Sequence, residues 1–118
     1  MEMGMVGDFV LDRAAILERL GGDEEIYSMM VDMFLQDVDN NCTTLAAALA
    51  DGKADVLQRE VHTVKGLLAT FSDDQGAAAA FAVEQQVKAG QVQALTGAVE
   101  NLQARLREVA SVLQVAAR

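Results

Sequence analysis

At 118 residues, with a formal net charge of -9 and 52% hydrophobic residues, the chain is long enough for one domain with a single core and too short for two. The absence of proline and tryptophan and the abundance of alanine, leucine, valine, glutamine and glutamate favour packed helices over strands or disorder. The acidity argues against a nucleic-acid or anionic-membrane partner, whose phosphates it would repel at long range, and the single cysteine, Cys42, has no internal disulfide partner and reads as a small buried hydrophobe.

The amino-terminal "MEMGMVGDF" lacks the basic start and unbroken apolar run of a signal peptide, and no stretch approaches the ~20 apolar residues of a membrane span, so a cytoplasmic protein is expected. Residues 1–8 are read as a tail, either mobile or packed loosely through Met1, Met3 and Met5. Glycines at Gly21-Gly22, Gly52 and Gly90 then divide the chain into segments with helical periodicity. The first runs from about Asp12, a favourable N-cap, to Leu20, with Val10, Leu11, Ala15, Ile16 and Leu20 as its apolar residues. The second starts at Asp23, carries Glu24 and Glu25 where the helix dipole favours anions, and continues to about Ala50, on the order of 40 Å at ~1.5 Å per residue. Ile26, Met30, Met33, Phe34, Val38, Cys42, Leu45 and Leu49 are read as its inner stripe. A third helix is expected over about Ala54 to Ser72, a fourth over Asp74 to Ala89 and a fifth over Gln91 to Ala116. In the last, Leu95, Val99, Leu102, Leu106, Val109 and Leu113 alternate steps of four and three, the pattern of a bundle-facing seam. Short connections imply antiparallel neighbours. The expected fold is all-α: one domain over 1–118, an antiparallel up-down-up-down four-helix bundle with a short additional N-terminal helix.

The only histidine, His62, lies in "VHTVKGLLATF", with Lys65 three residues on and Gly66 next. At ~100° per residue, Leu57, Val61, Val64, Leu68 and Phe71 cluster on one side of the third helix, centred ~140° from His62. The opposite stripe, Asp55, Gln58, Arg59, His62, Lys65, Gly66, Ala69 and Asp73, is polar or small throughout, so the imidazole should be at least partly exposed. Lys65 shares that face, where a second cation disfavours protonation and favours the neutral, nucleophilic ring. Gly66 costs about 1 kcal/mol of helix stability relative to alanine, and it clears room for another molecule one turn from His62. A neutral imidazole attacks phosphorus well, an ammonium balances the arriving charge, and phosphoryl transfer requires mainly positioning. An incomplete site therefore suffices if a partner brings the metal and the other reacting group. The bland alternative, a solvated surface histidine, leaves the lysine and glycine unexplained. Metal binding lacks ligands, since Cys42 sits on a different helix, no serine has a nucleophile-elbow context, and "GGDEE" places two acidic residues where a phosphate loop would not.

"VHTVKGLLATF", the following alanine-rich "FAVEQQVKAG" and the preceding "LGGDEEIYSMMVDMFLQD" together resemble a histidine-containing phosphotransfer (HPt) domain over roughly residues 12 to 115. The resemblance implies that His62 accepts a phosphoryl group on Nε2 from a receiver-domain phospho-aspartate and passes it to another receiver in a multistep two-component phosphorelay. It gives Lys65 the phosphate-stabilising role and Gly66 the close approach of the receiver. It places Glu84 where relatives often have a glutamate or glutamine that orients the imidazole; a solvated surface carboxylate is the equal alternative there, and Gln85 and Gln86 are substitutes. Docking is expected over Gln58, Arg59, Thr63 and Ala69 around the site, with neighbouring apolar residues of the early helices. For Arg59 and Thr63, a solvated face competes with an individual contact. No cofactor or bound metal is expected, Mg²⁺ belonging to the receiver, and a monomer is expected because such a carrier presents its site to changing partners.

Two departures from the family pattern bear on packing. Relatives place small residues after the lysine-glycine pair and a glycine six residues beyond its second member, where this chain has Leu67, Leu68 and Ser72. Close packing of the third and fourth helices is correspondingly less assured, unless the smooth surface of Ala77 to Ala80 accommodates the leucines. With no room for an ATP-binding domain, the chain reads as a carrier without kinase activity of its own. The alternative is a helical adaptor that binds a signalling partner and takes up no phosphate.

Overall fold

A computed structural model describes residues 8–116, so the expected tail lies, apart from Asp8, outside the described residues. These form five helices: α1 (Arg13–Arg19), α2 (Glu24–Ala50), α3 (Ala54–Thr70), α4 (Asp74–Lys88) and α5 (Thr96–Ala116). Three start on an aspartate whose carboxylate accepts from the first-turn amides: Asp12 from Ala15, Asp23 from Glu25 and Ile26, and Asp73 from Gly76. The helix ends share another device. The amides of Gly22, Lys53, Asp73 and Gln91 donate to the carbonyls of Leu17, Ala48, Leu68 and Gln86, closing α1 to α4 with the same six-residue loop. The residue ahead of each donor has positive φ. It is Gly21, Gly52 and Gly90 in three cases and Ser72, at φ 60°, in the fourth.

α2 to α5 make the up-down-up-down bundle and α1 packs on α2; the longest principal extent is 41 Å, about the length of α2. Among the described residues no helix is long and apolar enough to cross a membrane. The seam of α5 (Leu95, Val99, Leu102, Leu106, Val109 and Leu113) and that of α3 (Leu57, Val61, Val64, Leu68 and Phe71) are buried as expected, and so is Cys42. Burial also pushes the Cys42 thiol above its ordinary pKa.

Three expectations are corrected, and a fourth, left open, is settled. On α2 the buried stripe is Tyr27, Val31, Phe34, Val38, Cys42, Leu45 and Ala48, while Ile26 and Met33 face solvent and Met30 and Leu49 are only partly covered. α5 begins at Thr96 and not at Gln91: the chain turns through 91–95, Leu95 is buried ahead of the helix, and its carbonyl accepts from Val99. Val10 precedes α1 and is 78% exposed, whereas Phe9 is buried. Finally, α3 and α4 form the most extensive helix pair of the bundle. Gly76 and Ala80 are the buried small residues against which α3 lies, with Ala77 and Ala79 half-buried and Ala78 exposed.

Candidate functional site

The closeness of α3 and α4 builds the site. The inward seam of α3 fixes the helix rotation and turns His62 outward, with 66% of its side chain exposed. On α4, Gly76, Ala80, Val83 and Val87 face α3 and the core, and Glu84 shares that buried face at 4% exposure. Its two oxygens are divided. Oε2 lies 3.0 Å from His62 Nδ1, and Oε1 accepts from Lys65 Nζ at 2.9 Å. Glu84 is thus the buried link between the two residues, and the solvated alternative does not hold. Gln85 and Gln86 are exposed and do not substitute.

The hydrogen bond from Lys65 holds the Glu84 carboxyl below the ordinary glutamate range, outweighing the upward push of burial, and the His62 bond adds to the lowering. An ionised carboxylate only accepts, so Nδ1 carries the hydrogen and donates to Oε2. In the neutral ring this tautomer leaves the lone pair on Nε2, and 66% of the side chain is exposed. The i+3 spacing by itself sets the Lys65 ammonium directly against the ring; the structure puts Glu84 between them, so its charge is met first by the carboxylate.

Around this centre Gly66 is exposed, and a Cβ there would meet nothing within 4 Å. Arg59 and Thr63 are exposed, with Thr63 Oγ1 donating back to the Arg59 carbonyl at 3.1 Å; Gln58 and Ala69 are half-buried. A shallow open recess of about 520 Å³ runs beside the imidazole, lined by Asp55, Gln58, Arg59, His62, Glu84 and Lys88. Asp73 does not belong to this stripe. It is 3% exposed, caps α4 and pairs with Arg105 of α5. Two α4 residues at the site were not singled out in the sequence: Lys88 on the recess, and Phe81, whose half-exposed ring has its centroid 5.2 Å from Lys65 Nζ. Both lie within one turn of Glu84, at i+4 and i-3, which is the signal that could have found them. Among the described residues, no three metal-ligating side chains cluster.

An outward imidazole flanked by a cation and held by a carboxylate from the next helix of a bundle is an oriented, accessible nucleophile on a rigid wall. The family model for the Hpt domain matches residues 29–112, and the chain belongs to that family. Its fold is similar to the HPT domain of a sensor hybrid histidine kinase from Shewanella, at 16% identity, and to the histidine-containing phosphotransfer protein HptB of Pseudomonas aeruginosa PAO1, at 22% identity. Each comparison covers 90% of this chain and 92% of the other, with a TM-score of 0.79. No curated protein matches it by sequence. Hpt proteins are phosphocarriers and not kinases, and the role of the chain is histidine phosphotransfer in a phosphorelay with receiver domains.

Proposed function

We propose that His62 is the phospho-acceptor, taking a phosphoryl group on Nε2 from the phospho-aspartate of one receiver and giving it to the aspartate of another. The observation that supports this is the division of Glu84 between His62 Nδ1 and Lys65 Nζ, which in the neutral ring leaves Nε2 as the nucleophile of a side chain that is 66% exposed. The Nε2 lone pair attacks phosphorus, the bond from phosphorus to the aspartyl oxygen breaks, and the aspartate leaves with that electron pair. No proton has to move. The ring becomes an N-phosphoryl imidazolium whose Nδ1–H faces the Glu84 carboxylate, and the ammonium of Lys65 is close enough in sequence and on the same face to meet a phosphoryl oxygen. On the return step an acceptor carboxylate attacks phosphorus, the Nε2–P bond breaks, and the pair returns to a neutral Nδ1–H imidazole.

The receiver supplies the Mg²⁺, and this chain works without a cofactor as a cytoplasmic monomer. Docking covers His62, Gly66, Gln58, Arg59, Thr63 and Ala69. The exposed Met29 and Met33 of α2, the helix next to α3, extend the contact with apolar surface. Incubation with a labelled phospho-receiver tests the reading. Label should move to the wild type and not to His62→Gln. Binding of the receiver with no transfer to wild type would instead make the chain an adaptor.

A further inference from the structure

We propose that Phe81 is a positioning residue for this site: its ring holds the Lys65 ammonium on Glu84, and through that pair fixes the carboxylate that orients His62. The inference rests on the reading of His62 as the phospho-acceptor. Phe81 is 50% exposed, on a helix whose other outward positions are alanines, glutamines and charged residues, so the bundle gains little packing from it. What the ring does touch is specific. Its centroid is 5.2 Å from Lys65 Nζ, while the same nitrogen is 2.9 Å from Glu84 Oε1. Phe81 and Glu84, three residues apart, share one face of α4, so the ring and the carboxylate bracket the ammonium.

Lysine is a flexible stem with a strongly hydrated head, and one hydrogen bond leaves it free to exchange with water. A ring face adds an electrostatic attraction that grows as the cation is desolvated, and the Lys65 side chain is only 28% exposed. Of the three ammonium hydrogens, the bond to Glu84 uses one, so donors remain for a phosphoryl oxygen. The ring therefore keeps the cation at the site before any partner arrives, and it keeps Glu84 ionised with Oε2 turned to the imidazole.

Phe81→Leu removes the π face and keeps an apolar side chain at a half-exposed position, and Phe81→Tyr restores the face. Two readouts separate the effects: nitrogen NMR of the Lys65 ammonium in the unphosphorylated protein, and single-turnover transfer from a labelled phospho-receiver over a range of receiver concentrations. In Phe81→Leu the ammonium should exchange faster with water, and the maximal rate should fall about two- to five-fold with the half-saturating concentration unchanged. Phe81→Tyr should match wild type in both. An unchanged ammonium signal in Phe81→Leu, or a change confined to half-saturation, overturns the proposal, the latter making Phe81 a docking contact. If the wild type takes no label, the phosphotransfer reading fails while the NMR contrast still decides what the ring does.

Discussion

A carboxylate that is nearly out of water and serves a lysine with one oxygen and a histidine with the other makes Glu84 answerable to two separate measurements. Glu84→Gln keeps a carbonyl oxygen for Nδ1–H but loses the charge that holds Lys65; Glu84→Ala loses both. Transfer should fall least for Gln and by at least about ten-fold more for Ala, since a misplaced reacting group costs up to about 10²-fold and Ala removes both the acceptor that orients the ring and the charge that holds Lys65. The folded-state pKa of Glu84 is lowered, so the ionised group stabilises the fold at neutral pH, and that contribution is lost as the pH drops below the ordinary glutamate range through the folded value. Acid unfolding of Glu84→Gln should lack this component, as fluorescence-free circular dichroism titrations would reveal by a shallower loss of stability. Ser72 makes an opposite case, a residue the fold tolerates at a cost. It holds φ at 60°, where the other three helix ends use glycine, and its hydroxyl is buried without a hydrogen-bond partner among the described residues. Ser72→Gly should stabilise the chain by about 1 kcal/mol, the left-handed strain relieved less the entropy of glycine, and raise Tm by about 4 °C. His62, Lys65 and Gly66 were legible from spacing alone because they share one helix face. Glu84 was visible only through family resemblance, and Phe81 only by its spacing from Glu84 once that residue is placed, because both meet Lys65 across a helix interface that the α3 pattern does not encode.

At the scale of the helix, two glycines interrupt α3 and α4 for different reasons, and alanine substitution distinguishes them. Gly66 is exposed with open space around its missing Cβ, so Gly66→Ala should stabilise the free protein by about 1 kcal/mol in urea unfolding, yet weaken receiver docking if the bare backbone serves a partner. A tighter or unchanged half-saturating receiver concentration would remove that role from Gly66. Gly76 is buried where α4 meets α3, and a Cβ there would fall on the Asp73 carboxylate and 2.9 Å from Leu68 Cδ1. Gly76→Ala should destabilise by about 1–3 kcal/mol, through overpacking at an interface with no slack. The same interface shows how Leu68 fits: the space it needs is left by Gly76 on the facing helix. Elsewhere the pattern misled for physical reasons. In the first turns of α2, Ile26, Tyr27, Met29, Met30, Val31, Met33 and Phe34 surround most of the circumference, so periodicity does not select a face; the choice is made by phase with Val38, Cys42 and Leu45 further along. Leu95 is in register with the α5 seam and buried, but it is not helical, because a hydrophobic period reports burial and not backbone hydrogen bonding.

One buried network ties the molecule together away from His62. Asp73, at the junction of α3 and α4, accepts from Arg105 Nε at 2.7 Å and Nη2 at 2.8 Å while its Oδ1 also caps α4 through the Gly76 amide. Arg105 Nη1 reaches Glu108 Oε1 at 3.1 Å, and Glu108 Oε2 accepts from the amide of Phe9 at 2.7 Å, so α5 holds both the α3–α4 junction and the segment ahead of α1. Asp73 and Arg105 are 3% and 4% exposed, and the guanidinium is held above its ordinary pKa by the Asp73 hydrogen bonds, against the opposing effect of burial. Removing one charge strands the other, so Asp73→Ala should cost about 3–5 kcal/mol, a large share of the ~5–15 kcal/mol that keeps a domain folded. The pair as a whole is worth much less than that loss, because its attraction is set against the desolvation of both ions. Asp73→Ser with Arg105→Met retains an N-cap oxygen, fills the space of the arginine stem with apolar atoms and buries no charge. The double variant should therefore recover most of the stability lost in Asp73→Ala, and its folded fraction should accept label on His62 at the wild-type rate, because Glu84 and Lys65 are untouched. Urea unfolding of the single and double variants reads the first expectation; a double variant no more stable than Asp73→Ala would mean that the ion pair, and not apolar packing, is what holds α5 against the α3–α4 junction.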